Sequence, residues 1–371
     1  MINKKASFEN LKKENTPGFI ASTNNLLHTP NDITPHSIQQ SARLQTLDLF
    51  RGVAALSVML VHYTYGYRSH YGQSYSPSYD FRYGYLGVQL FFIISGFVIF
   101  LTVLQSKSVF DFLYKRVTRL YPTFLVCLVI TFVLVAIFGL QGRERGLHTA
   151  VFNLSMMPGF FGFPAVDGAY WSLVPEVFFY VFMILIMLSK QLKNILIIGT
   201  IFLLLTWINK FVYQFPLQWD MALNVEWNAL FFAGILFYKI KFENARKNLR
   251  IHALLLFSFI TVCLMLVSFT ERIIVACFYV LFYLFSYDKL EWLTWKPLVF
   301  LGLISYPMYL VHQNVGYVMM NQIKPFLGEY PVLFIGITIL SLIGFSYLIH
   351  RFFEIPSLRF FRRIKKVHFD F

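Results

Sequence analysis

The chain has 371 residues, of which 57% are hydrophobic and 13% charged, with mean hydropathy +0.59 and a formal net charge of +14. An ordinary soluble domain carries about 25% charged residues, so this composition excludes a soluble globular fold and predicts an all-α polytopic membrane protein. The basic balance does not call for nucleic acid, because the lysines and arginines fall between apolar runs, where they mark membrane orientation.

Residues 1–43 are rich in Asn, Thr, Ser, Lys and Pro and lack the apolar core of a secretory signal; they read as a disordered cytoplasmic tail. Apolar windows long enough to span a bilayer, about 17–25 residues, then lie near 47–66, 85–105, 120–140, 171–189 and 195–213. Five more lie near 226–240, 252–269, 271–287, 298–320 and 331–352. With the N-terminus in the cytoplasm, alternating the connections puts most of the 32 lysines and arginines on the cytoplasmic side. That asymmetry predicts ten transmembrane helices with both termini cytoplasmic, a membrane domain over 44–358 and a basic tail over 359–371. No internal repeat and no paired broken helices of the transporter kind are visible. Cys127, Cys263 and Cys277 sit inside apolar segments without a CxxC and read as small buried hydrophobes, with no metal site expected.

The first span, LDLFRGVAALSVMLVHYTYGY, carries Arg51 and, eleven residues on, His62. At ~100° and ~1.5 Å per residue the two point the same way, about 16 Å apart along the axis. An ionisable group in hydrocarbon is costly and by default marks a function facing the bundle interior; the plainer alternative is a His that glues two helices together. Eight tyrosines crowd the first outer loop, from Tyr63 to Tyr85, and suit either sugar faces or a membrane interface. In the second span, Gly84, Gly87, Ser95 and Gly96 read as packing faces.

At the mouth of the third span, KRVTRLYP places Arg116 and Arg119 on one helix face beside Lys115. Paired guanidiniums suit a phosphate-rich ligand, although on spacing alone positive-inside anchoring is the slightly better account of them. In AYWSLVPEVFFY, Glu176 lies one turn into an apolar span and needs a cationic partner, with Tyr170 and Trp171 placed as interfacial aromatics. His312, in LGLISYPMYLVHQN, is mid-span and taken alone reads as structural; Glu354, before Pro356, reads as the ion-pair partner of a nearby Arg.

In order and spacing these stretches resemble the acyltransferase-3 family of integral membrane acyltransferases: Arg51 and His62, GVQLFFIISGF (87–97), Arg116 and Arg119 followed by Tyr121 and Pro122, WSLVPE (171–176), ISYPMYLVH (304–312) and the closing Glu354-Ile355-Pro356. The resemblance implies a ten-helix protein that moves an acyl group, commonly acetyl from acetyl-CoA, onto a hydroxyl of a carbohydrate or lipid-linked glycan. It implies the form without an added SGNH hydrolase-like domain, a bacterial inner membrane, and acyl-CoA, glycan acceptor and membrane lipids as partners. The N-terminal extension departs from the family pattern.

Carried over residue by residue, the resemblance makes His62 and Glu176 catalytic and Arg51, Arg116 and Arg119 the groups that bind the coenzyme. A neutral imidazole suits removal of a hydroxyl proton, so His62 is expected as the base and Glu176 as the group that orients it. The cations lie on the cytoplasmic side, and the pantetheine arm is expected to bridge the depth between them and His62. A proton-coupled exporter using His62, Glu176 and His312 as a relay is the alternative.

Overall fold

The computed structural model describes residues 35–72, 76–243 and 245–368, and every regular element among them is helical. Helix α1 (Pro35–Val61) runs without a break into a π turn (His62–Gly66) and the short α2 (Tyr67–Tyr71). Then come α3 (Gly87–Leu104), α4 (Val109–Phe138), α5 (Leu173–Leu188) and α6 (Ile195–Phe211). They are followed by α7 (Asn228–Phe242), α8 (Leu249–Met265) and α9 (Phe269–Ser286). The next stretch is split into α10 (Lys296–Leu303), α11 (Ser305–Val311) and α12 (Asn314–Leu327). Finally, α13 (Pro331–Ile349) passes through a second π turn (His350–Glu354) into α14 (Ile355–His368).

Seven helical stretches among the described residues are long and apolar enough to cross a membrane. They are Gln45–Tyr71, Pro77–Leu104, Val109–Phe138, Gly168–Leu188, Leu192–Phe211, Phe269–Ser286 and Pro331–Lys365. The remaining three expected spans differ for identifiable reasons. Helix α7 has 15 residues and α8 has 17, and α7 is buried along almost its whole length, wrapped by protein rather than lipid. The expected 298–320 span is interrupted at Ile304 and again at His312–Gln313. Pro307 has no N–H to give the Leu303 carbonyl four residues back, which explains the first break. The expected tail boundary at 43/44 falls inside α1 and that at 358/359 inside α14, while residues 1–34 lie outside the described residues.

Close helix contacts are set by glycine. A Cβ on Gly96 of α3 would lie 2.0 Å from the Phe231 carbonyl oxygen of α7, and one on Gly302 of α10 only 1.8 Å from that of Asp48 in α1. Bare backbone on these faces lets the helices touch, as small residues do in membrane bundles. Gly84 and Gly87 pack likewise on α1, as expected, but Ser95 lines a cavity. Two apolar cores result, one built mainly on α3 and α5–α9, the other on α4 and α11–α13. Helix α1 gives Phe50 and Ala54 to the first and Ala55 and Met59 to the second, so it runs along the seam.

Several expectations change here. Cys127 is buried, but Cys277 is exposed on the outside of α9, where a small apolar group suits lipid as well as a core. Tyr170 is buried against Phe124, with ring centroids 5.3 Å apart, whereas Trp171 is exposed. Tyr63 and Tyr67 are fully buried under the π turn and not available to a sugar; Tyr75 lies outside the described residues.

Candidate active site

A cavity of about 510 Å³ opens between α1, α3, α4, α5, α11 and α14, and it brings Arg51, Arg116, Arg119 and Glu176 to one place. Lys115, Arg362 and Lys365 also line it, giving a strongly cationic region, while Val88, Phe91, Ile94, Val98 and Ile99 of α3 form an apolar wall. Arg116 and Arg119 therefore do share a face, and it is this one.

Each cation is held in place. Arg51 Nη1 lies 2.7 Å from Asp48 Oδ1, one turn back on α1. Arg119 Nη1 lies 2.6 Å from Oε1 of the fully buried Glu354, whose Oε2 meets His350 Nδ1 at 2.7 Å. The π turn at His350–Glu354 places both partners, and Glu354 is ion-paired as the sequence indicates. Arg116 donates to Thr102 Oγ1 and lies 5.7 Å from the Tyr180 ring centroid. The Tyr180 hydroxyl in turn donates to Glu176 Oε1. Glu176 is thus tied to Tyr180 beside Arg116, and no hydrogen bond or ion pair between it and His62 is present among the described residues.

Ser172, Tyr306 and Tyr309 also line the cavity. Ser172 Oγ and the Tyr309 hydroxyl are 2.7 Å apart, and the latter also donates to the Ala169 carbonyl at 3.3 Å. Behind Tyr309 stands His312, with ring centroids 5.3 Å apart, and behind His312 stands His62, at 5.0 Å. His62 does not line the cavity itself. The Tyr309–His312 pair forms a partition between the cationic cavity and His62.

His62 opens the first π turn, and His312 sits at the break between α11 and α12. Single π turns in long helices recur at functional sites, because they re-aim side chains. Tyr63, next to His62, donates its hydroxyl to the His312 carbonyl at 2.7 Å and pins one irregularity to the other. His62 Nδ1 lies 3.3 Å from the Tyr317 hydroxyl.

The restart of the helix at Asn314 depends on the outer connection. Asp167 Oδ2 accepts from the Asn314 N–H at 2.9 Å and Oδ1 from the Ala169 N–H at 2.9 Å. The Asn314 side chain donates to the Val166 carbonyl at 2.7 Å and accepts from Arg143 Nη1 at 2.9 Å. The Arg143 guanidinium also lies over the Tyr317 ring, 5.1 Å from its centroid. Burial pushes the Asp167 carboxyl up to about 6, against the two backbone N–H groups and Arg143, which favour its charge.

Sequence reasoning missed Asp167, Arg143, Tyr309 and Tyr317. Asp167 had half a signal, since Asp before a helical turn is a usual cap; its second use, on an N–H 147 positions away, had none. The tyrosines are indistinguishable by spacing from the other aromatics of an apolar segment.

An acyltransferase-domain family model matches residues 44–351 of the chain. An O-acetyl transferase of Shigella phage Sf6 is 35% identical over 91 residues, which is 24% of this chain and 25% of that protein. The chain therefore aligns with about a quarter of that relative's length. No solved structure matches.

Proposed function

This chain belongs to the acyltransferase-3 family, and from that premise we propose that it is a membrane-embedded O-acyltransferase. In this reading it crosses the membrane ten times with both termini in the cytoplasm, and it takes an acyl group, acetyl by family pattern, from cytoplasmic acyl-CoA. The acceptor is a hydroxyl of a cell-surface glycan or lipid-linked sugar, and the membrane is a bacterial inner membrane. The observation that carries the reading is a cavity that gathers Arg51, Arg116 and Arg119 and has Tyr309 on its wall, with His312 and then His62 stacked behind that ring.

The donor set fits a coenzyme A thioester. Guanidiniums recognise phosphates through paired N–H groups, and the α3 wall with Ser172 and Tyr309 suits a slender, mostly neutral arm. Arg51, Arg116 and Arg119 would hold the phosphates, and the bound thioester supplies an activated acyl group. Glu176, hydrogen-bonded to Tyr180, balances Arg116 and Arg51 and keeps the cavity from being uniformly positive.

His62 acts as general base on the acceptor hydroxyl. Nδ1 lies 3.3 Å from the Tyr317 hydroxyl, and in the Nδ1–H tautomer that hydroxyl accepts, which leaves Nε2 free to take the proton. The acceptor approaches from the outer side, past Arg143 and Tyr317, so the acyl group passes across the Tyr309–His312 partition.

The test compares purified wild type with His62→Ala at matched thermal stability, supplied with acetyl-CoA and a panel of glycan acceptors. Acceptor-dependent CoA release is expected from wild type and not from the variant. Release that needs no acceptor, or full activity in His62→Ala, would overturn the assignment. Substrate movement with no dependence on an acyl donor would favour transport instead.

A further inference from the structure

We propose that His312 is the proton relay of this site, passing the proton that His62 takes from the acceptor hydroxyl to the departing thiolate. The inference rests on the acyltransferase reading above and deepens it.

The geometry singles out Nε2 of His312. Its Nδ1 lies 2.7 Å from the Tyr309 carbonyl, which can only accept, so Nδ1 carries the hydrogen and Nε2 is a bare lone pair. The side chain is 1% exposed, and Nε2 has no hydrogen-bond partner among the described residues. Leaving a buried acceptor unpaired is costly, and most so where no water competes. The same ring lies between His62 on one side and Tyr309, a cavity-lining residue, on the other. The backbone around it is over-determined: Tyr63 holds its carbonyl, and Asp167 holds the N–H two residues on. A purely structural imidazole would need only the Nδ1–H bond.

The step balances without another reactant. The acceptor O–H bond breaks and its proton goes to His62 as the acyl carbon–oxygen bond forms and the carbon–sulfur bond breaks. His62 hands a proton to Nε2 of His312, and Nε2 releases it to the thiolate sulfur. Both imidazoles end neutral, with Nδ1–H of His312 kept throughout on the Tyr309 carbonyl.

His312→Asn keeps an N–H for the Tyr309 carbonyl and removes Nε2; His312→Gln serves if that variant does not fold. The expected result is unchanged thermal midpoint and unchanged affinity for CoA itself, with kcat for acceptor-dependent transfer down about 100-fold or more. In His312→Ala, added imidazole is expected to restore at least about tenfold, a response that loss of a structural contact would not give. A folded His312→Asn within about threefold of wild type, or a folded His312→Ala that imidazole leaves unchanged, would overturn the relay. Failure of wild type to bind CoA or transfer an acyl group would instead overturn the functional reading beneath it.

Discussion

Arg119 reaches Glu354 across 235 positions of chain, Nη1 to Oε1 at 2.6 Å, and thereby fastens the last helix to the wall of the cationic cavity. The carboxylate is sealed from solvent and spends its second oxygen on His350. Because α14 begins immediately after Glu354, this pair also sets where Arg362 and Lys365 meet the cavity.

Glu354→Ala should leave the 39%-exposed Arg119 without its partner and the buried His350 Nδ1 without its acceptor, a loss of about 1–3 kcal/mol. The expected outcome is a clearly lower thermal midpoint in detergent together with weaker CoA binding, since Arg119 and α14 both lose their anchor. An unchanged midpoint would mean the pair is not what holds α14.

Arg116→Lys is not conservative here. Lysine can reach neither the Thr102 hydroxyl nor the Tyr180 ring with the flat fork that arginine offers. For a residue that grips phosphate, KM for acetyl-CoA should rise about tenfold or more while kcat changes little. A fall in kcat at constant KM would move Arg116 from donor binding into the chemical step.

Tyr317→Phe should lower kcat about tenfold with little effect on folding, because it removes the hydroxyl that meets Nδ1 of His62 and leaves the ring under Arg143 in place. A net hydrogen bond of about 1.5 kcal/mol corresponds to roughly that factor. Steady-state rates at saturating donor would check it, and a rate equal to wild type would show that the tautomer is set by another group.

What the sequence made legible and what it hid divide along a physical line. Apolar length and the three-residue spacing of Arg116 and Arg119 revealed the helices and the cation-lined face, whereas the Arg51/His62 spacing did not show that His62 stands off the cavity. Glu176 illustrates the limit: its burial cost announced a partner, but the nearest group of use was Tyr180 on its own helix, not His62. The π turn at His62 and the break at His312 were hidden for another reason. Both are fixed by long-range bonds, Tyr63 to the His312 carbonyl and Asp167 to the Asn314 N–H, that leave no periodic trace.

Asp167 links the outer connection to the helix restart beside His312, and its titration gives a test with a definite sign. Its carboxyl is raised from 3.8 to about 6 by burial. Between those values the folded protein keeps a proton that the unfolded chain has released. Stability from this group is therefore fully present below about pH 4, declines as pH rises toward about 6, and stays flat beyond it. At about 1.4 kcal/mol per unit the whole change is at most about 3 kcal/mol. Asp167→Asn abolishes the titration and, with one amide oxygen, serves only one of the two backbone N–H groups at full strength. The variant should be less stable than wild type at pH 4, and the gap between their thermal midpoints should narrow as pH rises to 7. A gap that widened with pH would mean that Asp167 is held as a favourable carboxylate, paired with Arg143, and that burial is not the dominant influence on it.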